Sequence, residues 1–152
     1  MAFELSFTIE GEKQLSRKLQ IVADGIKDFS DPFKQTAGYL VDAFQQTFDY
    51  QGSNIGVAWP PLKESTISQK AKNYAGSPML VRTGALKAGF QSLYTTDYAK
   101  VWNSVNYFKY HQSSQPRHKL PRRQMMNLDE SIKENIVKYF QAYIQKLTNA
   151  NV

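Results

Sequence analysis

The stretch that decides the fold is GFQSLYTTDYAKVWNSV, residues 89–105. Two runs rich in aromatic and β-branched residues, GFQSLYTT and AKVWNSV, meet at the polar segment TTDY. Runs of this composition that are separated by a turn predict two strands joined as an antiparallel hairpin. Strict alternation places Trp102 and Val101 on opposite faces of the hairpin, and the pattern leaves open which face Trp102 occupies.

The N-terminal segment predicts one more strand and a helix. Residues 2–9, AFELSFTI, alternate between apolar and polar side chains, which is typical of a half-buried strand. Apolar residues then recur at spacings of four, three and four, at Leu15, Leu19, Val22 and Ile26. This spacing predicts an amphipathic helix of roughly four turns.

A second helix is predicted after the segment SDPF. Ser30 or Asp31 is suited to the N-cap position and Pro32 to the first helical turn. One apolar stripe follows at helical spacing, formed by Phe33, Ala37, Leu40, Val41, Phe44 and Phe48.

The chain ends in a third predicted helix. Asp129 or Ser131 is expected to cap it, the latter with Glu134 three residues on. Its apolar stripe consists of Ile132, Ile136, Val137, Phe140, Tyr143, Ile144 and Leu147. Together these elements predict an α+β fold in which three main helices, two N-terminal and one C-terminal, pack with a small, mostly antiparallel sheet. We expect residues 1–152 to form a single domain.

Between the second helix and the hairpin the helical pattern lapses. Residues 49–78 contain three glycines and three prolines, with one short helical candidate at residues 62–72. Loops of this length in compact domains are usually functional or are ordered against a partner. The following segment, SPMLVRTGALKAGF, predicts a sharp corner at Arg82 and a single helical turn capped by Thr83. Residues 106–112 favour a turn or short helix, and residues 113–124 an exposed basic loop.

Composition excludes several classes of protein. The chain has 152 residues and no cysteine, so neither a disulfide nor a thiolate site is possible. The longest apolar runs are far shorter than the roughly 18 residues of a membrane span, and no membrane partner is expected. The first residues lack the basic and apolar regions of a signal peptide, so we expect synthesis in a cytoplasm.

Charge is unevenly distributed along the chain. Residues 51–128 carry eleven Lys or Arg and two acids, a net charge of +9, whereas the remainder carries eight and eleven, a net charge of −3. Such asymmetry indicates a basic surface that meets an acidic partner. The partner is either nucleic acid or the acidic part of a second copy, and composition does not separate the two.

Catalytic patterns are weak. The histidines, His111 and His118, have no acid near them in sequence and no further ligands at metal-site spacing. The segment RTGALKAG lacks the preceding strand and the Gly-Lys-Ser/Thr ending of a phosphate-binding loop, and no nucleophile elbow is present. We therefore predict neither an enzyme nor a cofactor.

Nucleic-acid binding is a stronger alternative. Between Tyr98 and Leu128 there are six Lys or Arg and no acid. Aromatic residues are interleaved with them, as in basic grooves that bind single strands by stacking. The competing interpretation is that Trp102 and some of the tyrosines form the inner face of the hairpin.

Four motifs, taken in order, resemble the phage virion morphogenesis family, the tail completion proteins of Mu-like phages. A tryptophan-proline-leucine element followed by a threonine and a lysine is matched by Trp59, Pro60, Leu62, Thr66 and Lys70. A leucine, an arginine-threonine-glycine element and a second leucine are matched by Leu80, Arg82, Thr83, Gly84 and Leu86.

The other two motifs lie after the hairpin. A tyrosine-rich YHQ element is matched by Tyr107, Tyr110, His111 and Gln112. A proline, an arginine and an apolar pair before the last helix are matched by Pro121, Arg123, Met125 and Met126, with Arg122 in the variable position. Where the family commonly has a glycine soon after the histidine and glutamine, this chain has Ser113 and Ser114.

The resemblance implies a structural virion protein rather than an enzyme. It implies action in tail completion or head–tail joining at the neck, as a subunit of a ring, commonly six-fold, around the DNA channel. The implied partners are further copies of the chain, other neck, connector or tail-tube proteins, and DNA passing through the channel. Under this interpretation Arg82 and the loops beside it contact a neighbouring subunit; the alternative for Arg82 is a local salt bridge or a helix-terminus contact. Arg123 is expected to fix the last loop either onto the body of the protein or onto a neighbouring subunit, the competing interpretation being that Arg122 and Arg123 belong to a solvated basic loop.

Overall fold

The computed structural model describes residues 3–6, 28–114 and 120–150, the first of these by backbone alone. Its strands are β1 (Phe3–Ser6), β2 (Phe90–Tyr94) and β3 (Ala99–Asn103). Its helices are α1 (Ser30–Tyr50), α2 (Glu64–Asn73), α3 (Ala85–Ala88), α4 (Phe108–Gln112) and α5 (Glu130–Ala150), with a 3₁₀ turn at Ser53–Ile55. The fold is α+β, as the sequence predicts. The helix expected around residues 15–26 and the flanks of the first strand lie outside the described residues.

The sheet is antiparallel, in the order β1-β3-β2. Phe90 pairs with Asn103 and Tyr94 with Ala99, which confirms the predicted hairpin. Ala99, Val101 and Asn103 are buried along β3, whereas Lys100 and Trp102 between them are half-buried. Alternation therefore assigns Trp102 to the outer face of the sheet.

Helix α1 covers the inner face of the hairpin and also contacts α5. Four residues of its predicted stripe are buried, namely Ala37, Leu40, Phe44 and Phe48. Pro32 lies in the first turn as expected, but neither Ser30 nor Asp31 is the N-cap. Phe29 occupies that position, and the Asp28 carboxylate accepts the N–H of Ser30 at 2.8 Å just outside the helix.

The core is continuous across the helices, the hairpin and the irregular segments. It consists of Leu40, Phe44, Phe48, Ile55, Trp59, Met79, Leu86, Phe90, Val101, Phe108, Met125, Met126, Ile132, Ile136 and Phe140. Met125 and Met126, which belong to no helix or strand, are fully buried. Irregular backbone is thus part of the core, and its polar groups need hydrogen-bond partners within the protein.

Two predictions about helix ends and loops need correction. The N-cap of α3 is Gly84, at φ 80°, and not Thr83. The Thr83 hydroxyl still accepts the N–H of Ala85, but at 3.4 Å. The predicted basic loop is not uniformly exposed either: residues 115–119 lie outside the description, but Arg123 is buried and Pro121 half-buried. Within the described residues, no helix combines the length and the apolar character needed to cross a bilayer.

The cap of α5 provides the first prediction. The Asp129 carboxylate accepts the N–H of Ile132 at 2.9 Å, which selects Asp129 over Ser131 as the cap. Asp129→Ala should lower the free energy of unfolding by about 1 kcal/mol because a helical N–H loses its acceptor. Ser131→Ala, in which an exposed side chain is shortened, is the control and should change it by less than about 0.5 kcal/mol. Urea unfolding of both variants measures the difference, and equal effects would contradict the assignment.

Candidate functional site

A concave groove of about 820 Å³ lies where three separate stretches of the chain meet. We call it the motif groove. The first stretch, which includes α2, contributes Pro60, Pro61, Leu62, Lys63, Thr66, Gln69, Lys70 and Tyr74. The second contributes Leu80, Val81, Arg82, Thr83, Gly84, Ala85 and Leu86, and the third Tyr107, His111, Leu120, Pro121 and Arg123.

The structure brings together most of the residues singled out from the sequence. Eight of the eleven line the motif groove: Leu62, Arg82, Thr83, Gly84, Tyr107, His111, Pro121 and Arg123. Trp59, Gln112 and Arg122 do not line it, although each hydrogen-bonds to one of the segments around it. Lining residues as far as 63 positions apart, Pro60 and Arg123, thus converge on one surface, which spacing along the chain did not show.

Arg123 joins two of these segments. Its Nε donates to the Pro60 carbonyl at 3.1 Å and a terminal nitrogen donates to the Pro61 carbonyl at 3.0 Å. The side chain is only 4% exposed, and burial lowers the pKa of Arg123 from its ordinary value. No described carboxylate pairs with it, so two carbonyl oxygens and the remaining solvent contact stabilise the charge. Arg122 is exposed, with its Nε donating to the Gln112 carbonyl at 3.0 Å.

Trp59 fixes the segment that leads into the groove. It is 7% exposed, its ring packs edge-on against Phe48 at 5.6 Å, and its Nε1 donates to the Gln124 carbonyl at 2.7 Å. Gly52, at φ 83°, lies beneath the ring, and a Cβ there would come within 2.7 Å of the indole. Trp59 is therefore buried between the end of α1 and the chain before α5.

Gln112 is the residue whose role the sequence did not reveal. Its Oε1 accepts the N–H groups of Met125 and Met126 at 2.9 and 3.0 Å, and its Nε2 donates to the Met126 carbonyl at 2.6 Å. One buried amide therefore satisfies three backbone groups of a segment without secondary structure. A glutamine next to a histidine has no distinctive pattern, so only the family motif drew attention to it.

The opposite wall contains a strained turn. The Val81 N–H donates to the Pro78 carbonyl at 3.1 Å, and Leu80 at the third position of this turn has φ 62°. Glycine or asparagine usually occupies that position, because the left-handed backbone conformation of a leucine destabilises the fold by roughly 1–2 kcal/mol. The Lys70 ammonium holds the turn by donating to the same Pro78 carbonyl at 2.6 Å. Strain of this kind is concentrated at functional sites.

The electrostatics of the motif groove are one-sided. Lys63, Lys70, Arg82 and Arg123 line it, and none of the described lining residues is acidic. The Arg82 guanidinium lies 4.9 Å from the centre of the Tyr74 ring, and its Nε donates to the Tyr74 hydroxyl at 2.8 Å. The terminal nitrogens of Arg82 have no described partner, and its side chain is exposed. The groove is thus an apolar depression with accessible cations, suited to an apolar group next to a carboxylate.

The described lining of the groove includes one histidine and no carboxylate. The histidine, His111, is half-buried and stands on α4. Among the described residues, no three side chains of the metal-binding types lie close enough together to hold an ion. The described lining thus offers positive charge and apolar surface.

Arg123 gives the second prediction. Arg123→Lys should lower the free energy of unfolding by about 2 kcal/mol because one ammonium cannot reproduce the two-nitrogen contact with the carbonyls of Pro60 and Pro61. Arg122→Lys is the matched control and should cost less than about 1 kcal/mol, since its side chain is exposed. Urea unfolding measures both, and equal losses would mean that Arg123 does not hold the loop.

Trp59 gives the third prediction. Trp59→Ala should lower the free energy of unfolding by about 3 kcal/mol through the cavity it leaves. Trp59→Phe should lower it less, with about 1 kcal/mol of its loss arising because the Gln124 carbonyl loses its donor. Phe48 remains in place in both variants. Unfolding of Trp59→Ala with a loss below about 1 kcal/mol would show that the ring does not anchor the loop.

One comparison with known proteins gives a match. A sequence profile of the phage virion morphogenesis family matches residues 11–145, most of the chain. Neither the curated proteins nor the solved structures that were searched include a significant match. The matched range contains every segment that lines the motif groove. The chain belongs to the phage virion morphogenesis family.

Proposed function

We propose that this protein completes the phage tail and joins it to the head, as a ring-forming subunit at the neck around the DNA channel. Family membership supports a structural role in virion morphogenesis. The observation that carries the finer proposal is the motif groove, where eight of the residues singled out by the family resemblance line one cationic and partly apolar surface.

Charge distribution supports self-association in particular. Among the described residues Lys87 pairs with Asp49 and Lys133 with Glu130, whereas the side chains of Lys63, Lys72 and Asp42 are exposed and available to a partner. Outside the basic region of residues 51–128, most of the described acidic residues lie on α1 and α5, namely Asp31, Asp42, Asp49, Glu130 and Glu134. Contacts between two different patches of identical subunits close into a ring when the rotation permits.

Nucleic-acid binding between Tyr98 and Leu128 is the second candidate. Tyr98, Tyr107 and Tyr110 are exposed, and Lys109 lies 5.3 Å from the Tyr110 ring. These tyrosines do not form one stacking platform, because β3 separates Tyr98 from the other two. A strand of five residues spans roughly 13 Å at about 3.3 Å per residue. The arrangement favours the structural proposal.

The fourth prediction tests the function in the virus. An in-frame deletion of the coding sequence, in the phage or prophage that carries it, should yield filled heads and tails that remain separate in negative-stain electron microscopy. Expression of the intact chain from a plasmid should restore joined, infectious particles. Normal virions without the protein would overturn the proposal.

The purified protein distinguishes the two candidate functions. If the neck role holds, the purified protein should sediment as discrete rings whose stability falls as salt rises, since exposed charges are screened over about 8 Å at physiological ionic strength. A monomer that retards a single-stranded oligonucleotide in a gel at that ionic strength would favour nucleic-acid binding instead.

A further inference from the structure

The turn of the β-hairpin exposes apolar surface beside an unpaired acid. We call Leu93, Tyr94, Asp97 and Tyr98 the hairpin tip. Leu93, Tyr94 and Tyr98 are 46%, 42% and 48% exposed. Asp97 is also exposed, and its carboxylate has no hydrogen-bond or ion-pair partner among the described side chains. Exposed aromatic and apolar residues gathered at a protruding turn are typical of a protein contact surface.

A second carboxylate lies next to the hairpin tip. The Phe29 N–H donates to the Thr96 carbonyl at 3.2 Å, which holds the residue before Phe29, Asp28, close to the turn. The Ser30 side chain and N–H lower the pKa of Asp28, so its carboxylate is ionised at neutral pH. Asp28 and Asp97 therefore place two carboxylates at this end of the hairpin, where Lys100 pairs with Leu93 across the strands.

The motif groove lies at the other end of the same hairpin. The Asn103 side-chain amide donates to the carbonyl of Leu86, in the wall of the groove, at 2.8 Å. Asn103 in turn pairs with Phe90 at the start of β2. The hairpin tip begins at the far end of β2, roughly 13 Å away at about 3.3 Å per residue. The two surfaces thus lie on opposite ends of one rigid element, so a tip meets a groove only on another copy.

We propose that the hairpin tip of one copy docks in the motif groove of the next, with Asp97 paired to Arg82. The two surfaces match in chemistry. The tip offers apolar side chains and an exposed carboxylate that no described side chain contacts, and the groove offers apolar walls and guanidinium nitrogens that have no described partner. A volume of about 820 Å³ is within the range of ligand-sized clefts. The proposal rests on the proposed ring and identifies the contact that builds it, a heterologous one of the kind that closes rings.

Charge exchange tests the contact. Arg82→Asp and Asp97→Arg should each raise the concentration at which half the protein is assembled by at least about tenfold, since each places like charges together. The double variant restores an opposite pair and should return most of the assembly. Sedimentation velocity over a concentration series gives the midpoints, and thermal unfolding confirms that each variant is folded.

Two control variants match these changes in charge. Lys72→Asp lies on α2 outside the groove, and Asp42→Arg lies on α1 away from the tip; both residues are exposed, and neither variant should move the midpoint by more than about twofold. Assembly that survives Arg82→Asp, or a double variant no better than the worse single one, would overturn the proposal. So would a wild-type protein that stays monomeric throughout the series.

Cysteine cross-linking supplies a second readout that does not depend on charge. Because the natural chain has no cysteine, a variant carrying both Tyr98→Cys and Thr83→Cys contains only the two introduced thiols. Mild oxidation of the assembled variant should produce covalent dimers and longer ladders, whereas either single variant should not give ladders. If the ring is intact but no cross-links form, this contact is wrong. The proposed neck function does not depend on that result, because the deletion phenotype tests it separately.

Discussion

Buried backbone without secondary structure must find hydrogen-bond partners, and this requirement shapes the protein between residues 51 and 129. Three side chains meet much of it. Arg123 donates to the carbonyls of Pro60 and Pro61, Gln112 bonds three backbone groups of Met125 and Met126, and Trp59 donates to the Gln124 carbonyl. An unpartnered buried polar group costs about 1–3 kcal/mol, so these contacts decide whether the irregular segments pack at all.

The motif groove follows from these contacts. Once the segments around Pro60 and Pro121 are held together, α2 and the strained turn at Leu80 form the remaining walls. The Lys70 ammonium and the Tyr74 hydroxyl fix that side through Pro78 and Arg82. Polar contacts between distant segments therefore create a surface whose described lining is partly apolar and whose accessible charges are positive.

Periodicity predicted the regular parts of this structure well. The stripe of α1, the hairpin and the stripe of α5 each repeat a spacing that burial on one face imposes, so their existence can be deduced locally. Helix ends were less predictable: α1 begins at Ser30, so Phe29 and not Ser30 or Asp31 is its N-cap, and Gly84 replaces Thr83 at α3, where the chain adopts a positive φ. Such choices depend on the tertiary path that leads into each helix.

The candidate site could be predicted only in part. Family motifs drew attention to Arg82, Tyr107 and Arg123, but no spacing in the sequence showed that they line one groove. Gln112 bonds to Met125, thirteen residues on, and Tyr74 to Arg82, eight residues on. Leu80 looks like an ordinary core residue until its positive φ is known. Contacts of this kind arise from the assembled fold, and a single sequence carries no local trace of them.

Amide hydrogen exchange tests most directly whether these polar contacts make irregular backbone part of the core. The N–H groups of Trp59, Arg123, Met125 and Met126 donate to Gln51, His111 and Gln112 within the protein. They should exchange as slowly as buried positions of α1, because opening them requires the core to open. Exchange as fast as that of the exposed hairpin turn would contradict the account, since the segments around the motif groove would then be ordinary surface loops.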